Sequence, residues 1–395
     1  MNILWFTNTI LEDARNYLEL PLTGSGFWLS ALLRALLHCD PNIKFTIVSP
    51  HIEDQYSSFV VNEVNYILVP AGKKLVNLTK DYFALRYAHK IVASTKPDLI
   101  HVHGTERVWG NLKTTIPVVI SIQGIVSEIS KKIIQFGVNT ILKRSLSQQF
   151  LQYKLSSLRE KHIVKKHKYF FGRTSWDRAW LESINEKIVY FNEPRILRDI
   201  FYSSHWSIKK IQRNSLMLCN ARSPLKSAET AIIATSFLIK KYPNLILKIG
   251  GIDSSARYGK YLYDVSCKHS LQNNIVYLGY LSATQTANEM LKAHAYCLTS
   301  LIENSPNTLA EAQMLGLPCV SHNVGGVPDY TAGNTALLYE SNSSQHLAEQ
   351  IDAIFSNDNL ALELSNNACR VARERHDAKK IAENVRSYYR EIVKS

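Results

Sequence analysis

Short runs of β-branched and aromatic residues alternate along this chain with longer stretches of helical period. The apolar runs at 2–6, 43–48, 64–69, 98–102, 117–122, 169–171 and 187–191 read as strands. Between the first two lies FWLSALLRALL, apolar at 28, 29, 32, 33, 36 and 37, which is the spacing of one helix face; Gly26 stands at its start. Residues 80–95 and 174–185 share that helical spacing. After Asn192-Glu193-Pro194 the rhythm restarts, with strands at 216–220, 245–250, 275–279, 296–300 and 318–321 and helices near 228–241, 282–293 and 307–316. The stretch 344–393 is helical by propensity and offers no strand. Strand–helix–strand alternation predicts an α/β fold with parallel sheets covered on both faces. Two doubly wound, Rossmann-like domains facing a central cleft fit 395 residues better than one large sheet. The restart of the rhythm places the boundary between them near 195–210.

Composition narrows the class. Apolar residues make up 46% of the chain, too many for disorder. No apolar run approaches the roughly 18 residues that span a bilayer. The opening residues lack a basic region and meet acid at Glu12 and Asp13, so no signal peptide is expected. Six scattered cysteines form no CxxC pair and read as reduced thiols of a cytoplasmic protein. The net charge is +13, and it is concentrated. Between Glu128 and Lys168 ten lysines and arginines face two acids, which accounts for eight of the thirteen charges. Such a surplus implies an anionic partner: nucleic acid, a phosphorylated ligand or a membrane surface. In the same segment Ile134, Val138, Leu142, Leu146 and Phe150 recur every four positions, beside Ile133 and Ile141. A helix packed on its own domain would show that stripe too, but it would not need the charge. Anionic lipid rewards each nearby cation by about 1 kcal/mol. The expectation is peripheral contact with the inner face of the cell membrane through 131–168. No nucleic-acid motif or base-stacking aromatic pattern accompanies the charge, so no nucleic-acid partner is expected.

In open α/β sheets ligands sit outside the carboxyl ends of the strands, and the candidate chemistry falls on those turns. Thr23-Gly24-Ser25-Gly26 is not a dinucleotide fingerprint: the third glycine position is Leu29, and sixteen residues separate the turn from the first strand. Gly24 and Gly26 could present backbone N–H groups to a phosphate or sugar hydroxyl, or simply let the helix dock. His101 and His103 share one face at a strand end. No HExxH or Cys/His cluster completes a metal site, so they line the cleft or cap the strand. Gln123-Gly124 ends the next strand. Asn220-Ala221-Arg222-Ser223-Pro224-Leu225-Lys226 puts two cations on one turn, as a diphosphate clamp or as a solvated loop. In Ser300-Leu301-Ile302-Glu303-Asn304-Ser305-Pro306-Asn307-Thr308-Leu309-Ala310-Glu311-Ala312, one carboxylate precedes a helix and another lies one turn inside it. The helix start at 307 suits a phosphate. Gly316-Leu317-Pro318 and Gly325-Gly326-Val327-Pro328-Asp329 follow.

These blocks, in this order, resemble the donor-site signature of family 4 retaining glycosyltransferases of GT-B fold, which include many enzymes of bacterial surface-polysaccharide assembly. The resemblance implies that Glu303 lies near the transferred sugar and Glu311 binds the nucleotide ribose. It implies that Arg222 and Lys226 hold the diphosphate, and that Asn220, Asn304, Ser305, Asn307, Thr308 and Leu309 complete the donor pocket with Gly24 and Gly26. Glu303, Lys226 and Arg222 are the implied catalytic set, with His103 and Gln123 toward the acceptor. The segment from 377 resembles the family's crossover back to the first domain, so the resemblance implies a division into 1–198, 199–376 and a final helical segment, 377–395. Three departures stand out: Gln123 replaces the family's common His, Arg222 and Lys226 are four apart rather than five, and Ser227 replaces the Gly after the lysine. The expected activity is retaining transfer from a nucleotide-diphosphate sugar to a glycan or lipid-linked acceptor. Stabilisation of the departing diphosphate is its main catalytic term. With no acidic pair placed for a cation, neither metal nor other cofactor is expected. The alternatives are a sugar-nucleotide epimerase of the same fold and a non-enzymatic nucleic-acid-binding protein.

Overall fold

A computed structural model describes residues 1–21, 26–51, 55–70, 77–137, 146–340 and 343–395. Two compact units divide the chain: Met1–Ile196 together with Asp377–Ser395, and Leu197–His376. Each is built on its own sheet with helices on both faces, as the alternating pattern predicts.

In the first unit the strands are β1 (Asn2–Phe6), β2 (Lys44–His51), β3 (Ser57–Val61), β4 (Val64–Pro70), β5 (Leu99–His103), β6 (Val118–Ser121), β7 (Tyr169–Gly172) and β8 (Val189–Asn192). Their order is β3-β4-β2-β1-β5-β6-β7-β8, parallel except for β3. The order reverses between β1 and β5, and that switch point is where such sheets bind ligands. The strand β3 is not in the sequence reading. It pairs antiparallel with β4 through a two-residue turn in which Asn62 (φ 49°) and Glu63 (φ 65°) are both left-handed. Asn takes that conformation readily; Glu at the second position hides the hairpin from turn chemistry.

The helix Phe27–Cys39 buries Leu29, Leu32, Leu33 and Leu36 against β1 and β2. Its cap is Gly26 at φ 83°, where an added Cβ would strike the Thr9 methyl at 2.4 Å, so only glycine fits. The last helix, Ala378–Lys394, packs Ile381, Val385, Tyr389 and Ile392 into the same core.

In the second unit the strands are β9 (Ser215–Leu218), β10 (Ile246–Gly250), β11 (Ile275–Gly279), β12 (Ala295–Leu298), β13 (Cys319–His322) and β14 (Leu337–Tyr339). All pairings are parallel, in the order β11-β10-β9-β12-β13-β14. This is the doubly wound order, with its switch point between β9 and β12. The short β14 extends the expected five strands by one.

Candidate active site

The turns leaving β9 and β12 meet at the switch point of the second unit, and they carry the residues singled out in the sequence. After β9 the chain turns through Asn220 at φ 61°, a left-handed conformation that asparagine tolerates. The Ala221 N–H donates to the Gly250 carbonyl at 3.0 Å. Gly251, at φ 93°, lies so close to this turn that a Cβ would stand 2.8 Å from the Asn220 Cα. A short 3-10 turn, Pro224–Lys226, follows, and Ser227 (φ 46°) caps the helix Ala228–Leu238. Here the backbone is left-handed, the conformation for which the resembling family's glycine is suited.

Two bonds lock this turn to the β12 side. The Leu301 N–H donates to the Leu225 carbonyl at 2.8 Å, and the Thr299 hydroxyl donates to the Lys226 carbonyl at 2.7 Å. The Lys226 ammonium then forms an ion pair with Glu303, whose side chain is 14% exposed. Arg222 goes elsewhere. It is exposed, and its guanidinium lies 4.7 Å from the Tyr280 ring centroid. The two cations thus make separate contacts, Lys226 with Glu303 and Arg222 with Tyr280.

The helix Asn307–Leu315 begins at Pro306, which offers no side-chain cap. Pro306 thus stands one residue outside the first turn. The Thr308 hydroxyl accepts from Tyr296 at 2.7 Å. Leu309 is fully buried and can serve a ligand only through its backbone. Asn304 and Ser305 are nearly buried in the preceding loop, and the Ser305 hydroxyl has no hydrogen-bond partner among the described residues.

Glu311 is 1% exposed and receives a two-pronged bond from Arg198: Nε to one oxygen at 2.7 Å and a terminal nitrogen to the other at 2.8 Å. Burial pushes the Glu311 carboxyl above the usual range, and Arg198 opposes that shift. Arg198 is the functional-site residue that the sequence reading missed. It lies in Arg195-Ile196-Leu197-Arg198, just past the break at Pro194, and no spacing rule links it to position 311.

A second polar cluster occupies the carboxyl edge of the first unit's sheet. Its inner part is a chain of bonds with one consistent direction. The Trp5 ring N–H donates to the Tyr389 hydroxyl (3.1 Å), and that hydroxyl donates to His101 Nδ1 (2.6 Å). His101 Nε2 donates to the Ser121 hydroxyl (2.7 Å), which donates to Glu193 (2.9 Å). The order requires a neutral His101, and burial with Arg173 nearby holds its pKa well below the usual value. The His103 ring lies 3.7 Å from that of His101 between centroids, tilted by 34°, and is 1% exposed. It lies beneath the edge, and neither ring nitrogen has a partner among the described residues. At the rim the Gln123 side-chain amide oxygen accepts from Arg195 at 3.0 Å, Arg195 lies over the Trp28 ring, and Asn8 donates to Glu106 at 2.9 Å. Gly26 caps the helix that carries Trp28; Gly24 lies outside the described residues. No group of three or more metal-ligating side chains occurs among the described residues.

Residues 207–371 match the family profile described as "Glycosyl transferases group 1". Among curated proteins, the chain is similar to a subunit of the phosphatidylinositol N-acetylglucosaminyltransferase of Homo sapiens, 29% identical over 153 residues, which are 38% of this chain and 31% of that protein. The Arabidopsis thaliana protein of the same name is 28% identical over 115 residues, 29% of this chain and 25% of the relative. The chain thus spans under a third of the length of either relative. Solved structures match over nearly the whole chain. Sucrose-phosphate synthase from Thermosynechococcus elongatus gives a TM-score of 0.78 at 14% identity, covering 99% of this chain and 98% of that one. WaaG, a glycosyltransferase involved in lipopolysaccharide biosynthesis, gives 0.68 at 14% identity, covering 97% and 98%. Anabaena HepE in complex with UDP-glucose gives 0.70 at 14% identity, covering 99% and 100%. Residues 207–371 thus resemble glycosyl transferases of group 1, in a chain whose two Rossmann-like units have the fold of GT-B glycosyltransferases.

Proposed function

We propose that this protein is a retaining glycosyltransferase that moves a sugar from a nucleotide-diphosphate donor to a lipid-linked acceptor at an anionic membrane surface. The observation that carries the reading is the meeting of Lys226, Glu303, Glu311 and an uncapped helix start at one switch point, inside the region that matches the family profile. Lys226 and Glu303, assigned to the diphosphate and to the sugar, already touch, so both can reach one sugar–phosphate linkage. The bond from the anomeric carbon to the diphosphate breaks, and the acceptor oxygen bonds to that carbon on the same face. The departing diphosphate takes the acceptor proton. Lys226 and the helix start at Asn307 stabilise the charge that develops on the phosphate. Gln123 has no basic group with which to deprotonate an acceptor, in keeping with retention.

The acceptor class rests on two supports. The curated relatives are named for phosphatidylinositol, and WaaG for lipopolysaccharide. The helix Leu146–Lys166 of the first unit exposes Lys154, Leu155, Leu158, Lys161 and Lys165 along one face, with Leu158 61% exposed. Val138 and Leu142 of the expected apolar stripe lie outside the described residues, as do the side chains of Leu146 and Phe150.

The deciding experiment incubates the purified chain with UDP- and GDP-sugars and with lipid extracts, with and without EDTA. Formation of a glycolipid whose anomeric configuration by NMR equals that of the donor, undiminished by EDTA and abolished in Lys226→Ala, is the expected result. Conversion of the donor alone to an isomeric sugar nucleotide would identify an epimerase instead. An inverted linkage, or activity restored to the EDTA-treated enzyme only by manganese or magnesium, would reject the proposed mechanism.

A further inference from the structure

Glu311 is a buried carboxylate, yet its orientation is not set by its own helix. Both oxygens are held by Arg198, a residue 113 positions earlier in the chain. Arg198 is itself fixed. Its guanidinium lies 4.9 Å from the centroid of the fully buried Phe201 ring, at the end of the short turn Asp199–Phe201. The ring contact on one side and the two-pronged bond to the carboxylate leave it little rotational freedom. We propose that Arg198 is a positioning residue for nucleotide recognition, holding the Glu311 carboxylate in the one orientation from which it accepts the ribose hydroxyls.

The inference rests on the reading of Glu311 as the ribose-binding group. A carboxylate has about four lone-pair sites, and Arg198 uses one on each oxygen. One site per oxygen therefore remains, enough for the two hydroxyls of a ribose diol. The second role of Arg198 is electrostatic. Burial favours the neutral acid at Glu311, and a neutral acid loses acceptor capacity. Among the described residues Glu311 also acts on the Cys219 thiol, just past the end of β9, which burial keeps protonated. Arg198 is accordingly the cation that keeps Glu311 an acceptor.

The test titrates UDP and GDP, and their 2′,3′-dideoxy forms, into the full chain by calorimetry. The proteins compared are wild type, Arg198→Gln, Arg198→Lys and Glu311→Gln. Arg198→Gln is expected to weaken the ribonucleotide by about 10–100-fold, the worth of a charge-assisted hydrogen bond to a buried group. The dideoxy form should bind wild type and variant alike, which a merely structural role of Arg198 would not produce. Arg198→Lys keeps the charge without the fork and should fall between; it also supplies the readout should Arg198→Gln fail to fold. Equal weakening of both nucleotide forms, or tighter ribonucleotide binding in the variants, overturns the inference. If Glu311→Gln itself leaves ribonucleotide binding unchanged, the reading of the donor site fails instead, and the role of Arg198 with it.

Discussion

Glu303 and Glu311 stand eight positions apart, but their surroundings differ. Glu303 sits in a loop, partly exposed, and pairs with Lys226; Glu311 is inside a helix, buried, and pairs with Arg198. Glu303→Ala should therefore lower kcat by about 100-fold with donor affinity nearly intact, the size of effect seen when a charge-stabilising group leaves a catalytic site. Glu311→Ala should instead raise the nucleotide Kd at least tenfold. Separate measurements of donor affinity and single-turnover rate decide this, and equal losses of binding with unchanged turnover would contradict it. The carboxylates were legible in the sequence because a helix start, a proline and a fixed interval announce them. Their cationic partners were less so: the Lys226 turn is a local motif, whereas Arg198 reaches Glu311 only through folding. A second prediction at this scale concerns His294, which is fully buried, stacked on Phe355 and accepts the Asn214 N–H. Burial lowers its pKa to about 4. Between roughly pH 6.5 and that value the unfolded chain binds the proton and the folded chain does not, so stability falls as pH falls. A shift of this size is worth about 3 kcal/mol. Urea unfolding at pH 7.5 and pH 5 should show a loss that is smaller in His294→Asn; an equal loss in both proteins would acquit this histidine.

Among the elements, those with strong periodicity were readable and the weakly marked edges were not. The strands β1, β2, β5, β9, β10, β12 and β13 fall where apolar runs stand between turn residues, because burial on both faces demands continuous apolar sequence. The strand β3 is an edge with one face exposed, and its alternation in SSFVV is too short to register. The three residues of β14 are below any useful window. The same limit applies to the basic helix Leu146–Lys166, where the charge count drew attention but gave no role to single lysines. Lys166 is not free for a membrane: its ammonium donates to the Leu112 carbonyl at 2.6 Å and so belongs to the fold. Lys154, Lys161 and Lys165 are exposed on the face that carries Leu158. Changing these three to Glu should abolish sedimentation with vesicles containing anionic lipid at low salt. Each reversed charge near the surface is worth on the order of 1 kcal/mol or more. Wild-type binding should weaken at high salt, and circular dichroism should show the variant folded. Vesicle binding that ignores salt, lipid charge and these lysines would leave the helix as an ordinary solvated face.

For the molecule as a whole, the chain enters the second unit at Leu197 and leaves it at His376, and a single hydroxyl holds the two points together. Tyr202 accepts the Leu197 N–H at 3.0 Å and donates to the His376 carbonyl at 2.7 Å. The entry is marked in the sequence by Asn192-Glu193-Pro194, but the exit is not, since helical sequence runs on either side of it. The division at 377 follows from the family resemblance alone. Only Asp377, whose side chain caps the next helix by accepting the Lys380 N–H, marks the spot locally. Removing the hydroxyl with Tyr202→Phe leaves the ring but orphans a backbone donor on Leu197, a residue with no exposed surface. Such an orphan costs about 1–3 kcal/mol, beyond the loss of the bond itself. The variant should therefore unfold at lower urea, with the loss confined to the transition that reports the second unit. Tryptophan fluorescence can follow that transition through Trp206, the unit's buried tryptophan, provided the first unit's tryptophans report separately. Should Tyr202→Phe melt with an unchanged midpoint, the two crossings would be held by the packing of Phe201 and the neighbouring helices, and the hydroxyl would be incidental.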